Sequence, residues 1–292
     1  MPSKQKTTVW FLGTSSFAVP SLEAFFADSS FYIDLVITQP DRQAGRKREI
    51  IPSPVKITAE KHGVKILQPA NINSHFHDSR NPAPLPDYLA VVSYGQILSQ
   101  EILDIPRIAP VNLHASLLPR WRGASPMQHA LLAGDSETGV TVQIMAKELD
   151  AGPILAQEKV AIESRETFET LHNKLAAIGA RLLIATLKSP LNPIGQDQSR
   201  ATICRTFQRA NGFADPISMT AEEIDRKARA LNPWPGVTVV LNGQSVKLLA
   251  TSLEPANDSA PLACANGTVL RLVAVQPAGG KAMTGGAWAR GR

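Results

Sequence analysis

Two stretches carry residues whose types and spacing could do chemistry. The first is Val111-Asn112-Leu113-His114, which runs into Ala115-Ser116-Leu117-Leu118-Pro119-Arg120-Trp121-Arg122-Gly123; the second, downstream, is Leu149-Asp150-Ala151-Gly152. Val111 and Leu113 alternate with Asn112 and His114, so a strand here buries the first pair and turns both polar side chains to one face. Pro119 and the Arg-Trp-Arg-Gly turn stop regular structure. That puts Asn112 and His114 at the carboxyl end of the strand, where open α/β sheets place their ligand crevices. An amide, an imidazole and a carboxylate with no activated nucleophile beside them suit attack on a carbonyl by an amine that the substrate supplies. Asn112 can donate to the oxygen as negative charge builds, and His114 can move protons near neutral pH. Asp150 would hold and orient the imidazolium form, or relay a proton through water. Residue types alone leave plainer readings open, with His114 hydrogen-bonded within a sheet edge and Asp150 an ordinary turn residue ahead of Gly152.

Other candidates are weaker. Ser116 has no G-x-S-x-G elbow around it, which argues against a hydrolase nucleophile. His75-Phe76-His77-Asp78 has the look of metal ligands, yet it lies in a polar stretch without further partners at ligand spacing, so a solvated loop and no metal site are expected. Trp121 and His129 read as packing or surface residues as readily as functional ones. Gly13-Thr14-Ser15-Ser16 lacks G-x-G-x-x-G and no P-loop occurs, so neither a dinucleotide nor a nucleoside triphosphate site is signalled. Arg42, Arg46, Lys47 and Arg48 place four cations within seven residues on a stretch with Gly but no apolar period. That composition fits a mobile basic arm for phosphate contacts, and equally a solvated charged loop.

The run from Asn112 to Pro126, followed by Gly134-Asp135, Thr138-Gly139-Val140-Thr141 and Leu149-Asp150-x-Gly152, resembles the methionyl-tRNA formyltransferase family. Pro233-Trp234-Pro235-Gly236 and the segment from Val275 to Lys281 also match, so the likeness runs from about Val9 to Thr284. The resemblance implies 10-formyltetrahydrofolate as co-substrate, initiator Met-tRNA as partner, no metal, and Asn112, His114 and Asp150 as catalytic residues. It implies that Ser116, Leu117, Leu118 and Pro119 contact the folate through exposed backbone and apolar side chains, with Tyr94-Gly95-Gln96 bordering the same crevice beside Asn112. It also implies that Arg42, Arg46, Lys47 and Arg48 reach the acceptor arm of the tRNA. The chain departs from the family pattern at Ser15, where a proline is usual, and across residues 201–216. A formyltransferase acting on a sugar nucleotide or purine precursor, or a catalytically silent RNA-binding relative, are the alternatives.

The elements that must position these residues follow from period and punctuation. Apolar runs at residues 9–12, 34–38, 64–67, 88–93 and 139–145 read as strands, with an edge strand at 154–162, and helices are expected over 17–27, 55–62 and 125–133. From Thr167 onward Phe168, Leu171, Leu175, Ile178 and Leu182 recur at helical spacing as one buried stripe. The expectation is an α/β protein with an open, Rossmann-like, mostly parallel sheet over residues 1–188. A Pro- and Gly-containing linker at 189–204 would join it to a small β-rich domain over 205–292, which the resemblance implies is an OB-like barrel. In that second part Thr220-Ala221-Glu222-Glu223 is a capping box and Asn242-Gly243 a hairpin turn.

A chain of 292 residues suggests two domains, and the formal charge of +5 with a pI near 9.3 favours an anionic partner only weakly. Two cysteines far apart, Cys204 and Cys264, argue for a reducing compartment. The polar first residues and the short apolar run at 9–13 give neither a signal peptide nor a membrane span. A monomer in the cytoplasm is expected, and a bacterial one in the absence of a transit segment.

Overall fold

The structure is a computed structural model that describes residues 6–44, 49–78 and 84–291. Its elements, in chain order, begin with strand β1 (Thr7–Gly13), helix α1 (Val19–Ala27), β2 (Phe31–Ile37), β3 (Arg42–Ala44), β4 (Glu49–Ile51), α2 (Pro54–Lys61), β5 (Ile66–Leu67), α3 (Ile72–Asp78) and β6 (Tyr88–Val92). There follow α4 (Gln100–Leu103), β7 (Ala109–His114), β8 (Arg122–Gly123), α5 (Pro126–Ala133), β9 (Glu137–Ile144), β10 (Ile154–Ala161), α6 (Phe168–Leu187) and β11 (Ile203–Cys204). The last are α7 (Ala221–Leu231), β12 (Val237–Leu241), β13 (Gln244–Ser252), β14 (Ala260–Ala263), β15 (Val269–Pro277), β16 (Met283–Thr284) and α8 (Gly285–Arg290).

The chain divides into two compact units. One comprises Met1–Gly123, Gly139–Val160 and His172–Ile203; the other comprises Ala124–Thr138, Ala161–Leu171 and Cys204–Arg292. The second unit thus takes in two segments that a cut by composition assigns to the first.

The seven-stranded sheet runs β10-β9-β7-β6-β1-β2-β5. β1 pairs in parallel with β2 and β6, β2 with β5, and β6 with β7, whereas β9 is antiparallel to β7. Strands buried on both faces read as unbroken apolar runs, as β6 does with all of Tyr88–Val92 buried. β10 sits at the edge and alternates half-buried with exposed residues. Parallel pairing puts the carboxyl ends of β1, β2, β6 and β7 along one edge, and the candidate residues after each strand gather there.

Helix α6 covers β7. Its buried face is Leu171, Leu175, Ala176, Ala180, Leu183 and Leu187, while the expected Ile178 and Leu182 are only half-buried. Gly179 explains the shift. A Cβ at Gly179 would stand 2.7 Å from Leu113 Cδ2, so the helix meets the strand at its smallest residue. Leu113 is thereby gripped from behind, and Asn112 and His114 face the other way.

The segment expected as a solvated His-rich loop is the helix α3, and this corrects that reading. Ile72 is fully buried and the Phe76 ring stacks on Trp10 at 5.8 Å, so this polar-looking stretch is held by two apolar anchors.

In the second unit β12, β13, β15 and β14 form an antiparallel sheet in that order, with β16 pairing β15. Asn242 and Gly243 both have positive φ, 49° and 76°, the conformation a two-residue hairpin turn requires. The Thr220 side chain and the Glu223 side chain cap α7 reciprocally, as the capping box predicts. Val237, Val239, Val246, Leu248, Leu270, Leu272 and Val275 are wholly buried, as is Ile224 on α7.

A buried carboxylate ties this unit together. Asp225 is 1% exposed and accepts from Arg165 at 2.9 and 3.0 Å, from Arg229 Nε at 2.9 Å and from the Thr251 hydroxyl at 2.8 Å. Removing one partner of a buried ionic cluster leaves the others uncompensated. Arg165 is half-exposed and can turn to water, so Asp225→Ala is expected to cost about 3 kcal/mol, the low end for such a change. Urea unfolding of the full chain measures it, and a loss below about 1 kcal/mol, the value of a surface pair, contradicts it.

Candidate active site

β7 delivers the motif. Its register sets Asn112 beside Val91 of β6 and opposite Gln143 of β9, with His114 opposite Thr141. Asn112 and His114 share a face, and Asp150 comes to them on the loop that follows β9. That loop is closed by Gly152, where a Cβ would stand 1.9 Å from the Ile144 carbonyl oxygen. No side chain fits there, which is the local reason for glycine two residues after the carboxylate.

Both oxygens of Asp150 are engaged. Oδ2 accepts from the Gly123 N–H at 2.8 Å and lies 3.6 Å from His114 Nδ1. Oδ1 accepts from Gln143 Nε2 at 3.1 Å and from Asn112 Nδ2 at 3.4 Å. The Asp150 side chain is 11% exposed and that of His114 7%. Asp150 holds φ at +51° and Trp121 at +60°, left-handed conformations that cost non-glycine residues energy and persist only where surrounding bonds fix them.

The partner of His114 fixes its tautomer. Nε2 lies 2.9 Å from the Trp121 carbonyl oxygen, which can only accept, so Nε2 carries a hydrogen. Nδ1 then faces Asp150 Oδ2 with a lone pair in the neutral ring. Only a proton on Nδ1 turns that approach into an attraction.

Ser116, Leu117, Leu118 and Pro119 form the turn after β7. The expectation of exposed backbone along this turn is corrected at all four residues, the Leu117 carbonyl accepting from the Arg120 N–H at 3.1 Å and the Pro119 carbonyl from the Thr202 N–H at 3.2 Å. The Ser116 carbonyl accepts from the Thr141 hydroxyl at 2.6 Å, the Leu118 N–H donates to the same Oγ1 at 3.1 Å, and the Leu118 carbonyl accepts from Gln157 Nε2 at 2.9 Å. Ser116 is fully buried and its hydroxyl donates to the Arg120 carbonyl, which locks the turn. Leu117 and Pro119, both half-buried, are the apolar surface left to a ligand.

Arg42 opens β3, which pairs antiparallel with β4 from Arg42–Ile51 to Ala44–Glu49. The flanks of the expected basic loop are therefore a two-stranded ladder. Arg46, Lys47 and Arg48 lie outside the described residues. The Arg42 guanidinium donates to Gln39 Oε1, and Gln39 Nε2 donates to the Tyr94 carbonyl at 3.1 Å. A cavity of about 370 Å³ opens here, walled by Thr14, Gln39, Arg42, Ser53 and Gly95 among others. Asn112, His114 and Asp150 do not line it; the first two belong to β7, the strand beside β6, and Asp150 to the loop after β9.

Tyr94 and Gly95 line the wall of this cavity rather than the crevice expected beside Asn112, with the Tyr94 ring buried among Trp10, Leu12, Leu98 and Ile102, and burial pushes its phenol up to about 12. Gln96, expected beside them, instead pins the start of α3, accepting from the Ile72 N–H at 2.9 Å.

Sequence reading missed Thr141, Gln143, Gln196 and Arg122. Gln143 is 1% exposed and its Oε1 accepts from Gln196 Nε2 at 3.3 Å. Gln196 also donates to the carbonyls of Asp150 and Gly152 at 2.8 and 2.7 Å and accepts from Arg122. Among the described residues no group of three or more His, Cys, Asp or Glu side chains is placed to hold a metal ion.

Residues 6–187 match the family described as Formyl transferase, and residues 210–292 match Formyl transferase, C-terminal domain. The chain is 41% identical to a methionyl-tRNA formyltransferase of Methylococcus capsulatus, over 94% of this chain and 93% of that protein. Among solved structures, the fold is similar to that of WlaRD, a sugar 3N-formyl transferase determined in the presence of dTDP and 5-N-formyl-THF. The TM-score is 0.64 at 16% identity, over 94% of this chain and 98% of that one. It is similar also to a methionyl-tRNA formyltransferase from Clostridium thermocellum, at TM-score 0.60 and 16% identity over 93% and 98% of the two chains. The chain belongs to the formyltransferase family.

Proposed function

We propose that this protein transfers a formyl group from 10-formyltetrahydrofolate to the α-amino group of methionine carried on initiator tRNA, for translation initiation. The observation that carries the reading is the convergence of Asn112 and His114 on the Asp150 carboxylate at the carboxyl edge of the sheet. The folate supplies the formyl group. The donor set suits a formyl carbonyl, because Asn112 Nδ2 has a second hydrogen after the one it gives Asp150, and that hydrogen can meet the oxygen on which negative charge builds. His114 keeps its Nε2 hydrogen on Trp121, so Nδ1 is the basic nitrogen. The proton that the attacking amine sheds lodges between Nδ1 and Asp150 Oδ2, 3.6 Å apart before it arrives, and passes to the folate N10 as the bond from N10 to the formyl carbon breaks. The amine is already a nucleophile, so no activated water and no metal enter the scheme.

The choice of acceptor rests on sequence rather than on fold. The fold resembles a sugar 3N-formyl transferase as closely as a methionyl-tRNA formyltransferase, whereas the 41% identity to the latter class spans nearly all of both chains. In this reading Arg42, Arg46, Lys47 and Arg48 engage the acceptor arm, and Ser116, Leu117, Leu118 and Pro119 border the folate. Residues 1–188 are the catalytic domain and 189–204 the linker. Residues 205–292 are an OB-like domain that holds tRNA, a reading supported by their antiparallel sheet. The enzyme works as a monomer in the cytoplasm; among the described residues no helix is long and apolar enough to cross a membrane.

A labelled-formyl transfer assay with charged initiator tRNA, charged elongator tRNA and amino-sugar nucleotides side by side tests the acceptor. Transfer confined to initiator tRNA is expected, and transfer to the sugar nucleotide instead contradicts the reading. His114→Ala and Asp150→Ala are expected to fold and to lose turnover by roughly 100-fold or more, the scale of removing a positioned proton carrier. Wild-type turnover in either folded variant contradicts its assigned role. Arg42→Ala is expected to raise the KM for tRNA and to reduce the slope of log affinity against log salt by about one. An unchanged salt slope would remove Arg42 from the RNA contacts.

A further inference from the structure

We propose that Gln196 and Arg122 are positioning residues for this reaction, acting through Asp150. The inference rests on the reading of Asp150 given above and extends it to a hydrogen-bond relay that fixes where the carboxylate stands.

The relay has a direction set by chemistry. A guanidinium only donates and a carboxylate only accepts, so a chain of amides between them can be arranged in one sense alone. Arg122, 8% exposed, donates from Nε and from a terminal nitrogen to Gln196 Oε1 at 3.0 and 2.7 Å, and from its other terminal nitrogen to Gln198 Oε1 at 2.9 Å. With its oxygen so engaged, Gln196 must turn its NH₂ group inward. There it donates to the Asp150 carbonyl at 2.8 Å and the Gly152 carbonyl at 2.7 Å, and it lies 3.3 Å from Gln143 Oε1. That last contact obliges Gln143 to offer its own NH₂ to Asp150 Oδ1, which it does at 3.1 Å. The amide of Gln196 therefore grips the two carbonyls on either side of Ala151 and orients the amide that holds one carboxylate oxygen. The other carboxylate oxygen is held by the N–H of Gly123, the residue after Arg122.

Burial singles out the same side chain. Through residues 192–200 Gln196 is the one residue turned partly inward, its neighbours on both sides being exposed. The stretch is also fastened at both ends to the unit that holds the site. Ile194 exchanges two backbone hydrogen bonds of 2.8 Å with Ile154, and Thr202 is bonded to Pro119, Trp121 and Arg122. A stretch whose composition reads as a linker is thus held in register with the catalytic turn.

The test uses the full chain in steady-state and single-turnover formyl transfer to charged initiator tRNA. Gln196→Ala is expected to lower kcat by about 10- to 100-fold, the effect of a small misplacement of a reacting group, with both KM values within about twofold. Gln196→Glu keeps an acceptor for Arg122 but has no hydrogen for the two carbonyls. It is expected to hold the thermal midpoint at or above that of the parent and still lose kcat, an outcome a purely structural role does not give. In an Asp150→Ala background, Gln196→Ala is expected to add no further loss. Unchanged turnover in Gln196→Ala beside a disabled Asp150→Ala overturns this proposal alone, as does a loss that multiplies in the double variant. Wild-type turnover in Asp150→Ala overturns the site reading and this proposal with it.

Discussion

A carboxylate taken almost wholly out of water must be matched by donors, and Asp150 is matched by three, each from a separate stretch of chain. The penalty for burying an unmatched carboxylate is several kcal/mol. Asn112 comes from β7, the Gly123 N–H from the turn after it, and the Gln143 amide from β9, 2.8 to 3.4 Å from the carboxylate, with His114 Nδ1 held 3.6 Å away to take a proton. The same satisfaction that makes the burial tolerable fixes the relative positions of an amide donor and a proton carrier. Stability and preorganisation here are one set of hydrogen bonds.

The sheet makes this possible by restricting each partner to one freedom. The period of two sends Asn112 and His114 to one face, and the contact of Leu113 with Gly179 prevents the strand from rolling. The antiparallel return of β9 places Gln143 opposite Asn112 and ends with Ile144 opposite Val111, from where the following loop carries Asp150 back to the pair. Gly152 then permits the loop to lie against the Ile144 carbonyl.

What the sequence made legible were features encoded over a few residues. The alternation through residues 111–114, the capping box at Thr220 and the Asn242-Gly243 turn each state their geometry locally, and each is found. Features set by close approach were not legible. The α6 stripe moves from Ile178 and Leu182 to Ala180 and Leu183, because a glycine that lets two elements touch carries no hydrophobic signal. The helix at Ile72–Asp78 hides behind asparagine and histidine, its anchoring partner Trp10 lying far away in the chain. The Gln196 contacts join residues 53 and 74 positions apart, with Gln143 and Arg122 respectively, and no local pattern marks a polar side chain for such a role. The three residues that could do the chemistry could be picked out, but those that hold them in place could not.

Fold likeness alone does not settle which amine is formylated, since formyltransferases with different named acceptors share this architecture at similar TM-scores. The claim common to every such acceptor is that the formyl carbon sits between Asn112 and the His114–Asp150 pair. A crystal structure of the enzyme with a formyl-folate analogue that cannot transfer its group measures this directly. The account predicts the formyl oxygen within about 2.7–3.2 Å of Asn112 Nδ2, with His114 and Asp150 on the side open to the amine. A formyl group lying out of reach of all three side chains, in a complex that is otherwise fully occupied, would contradict it.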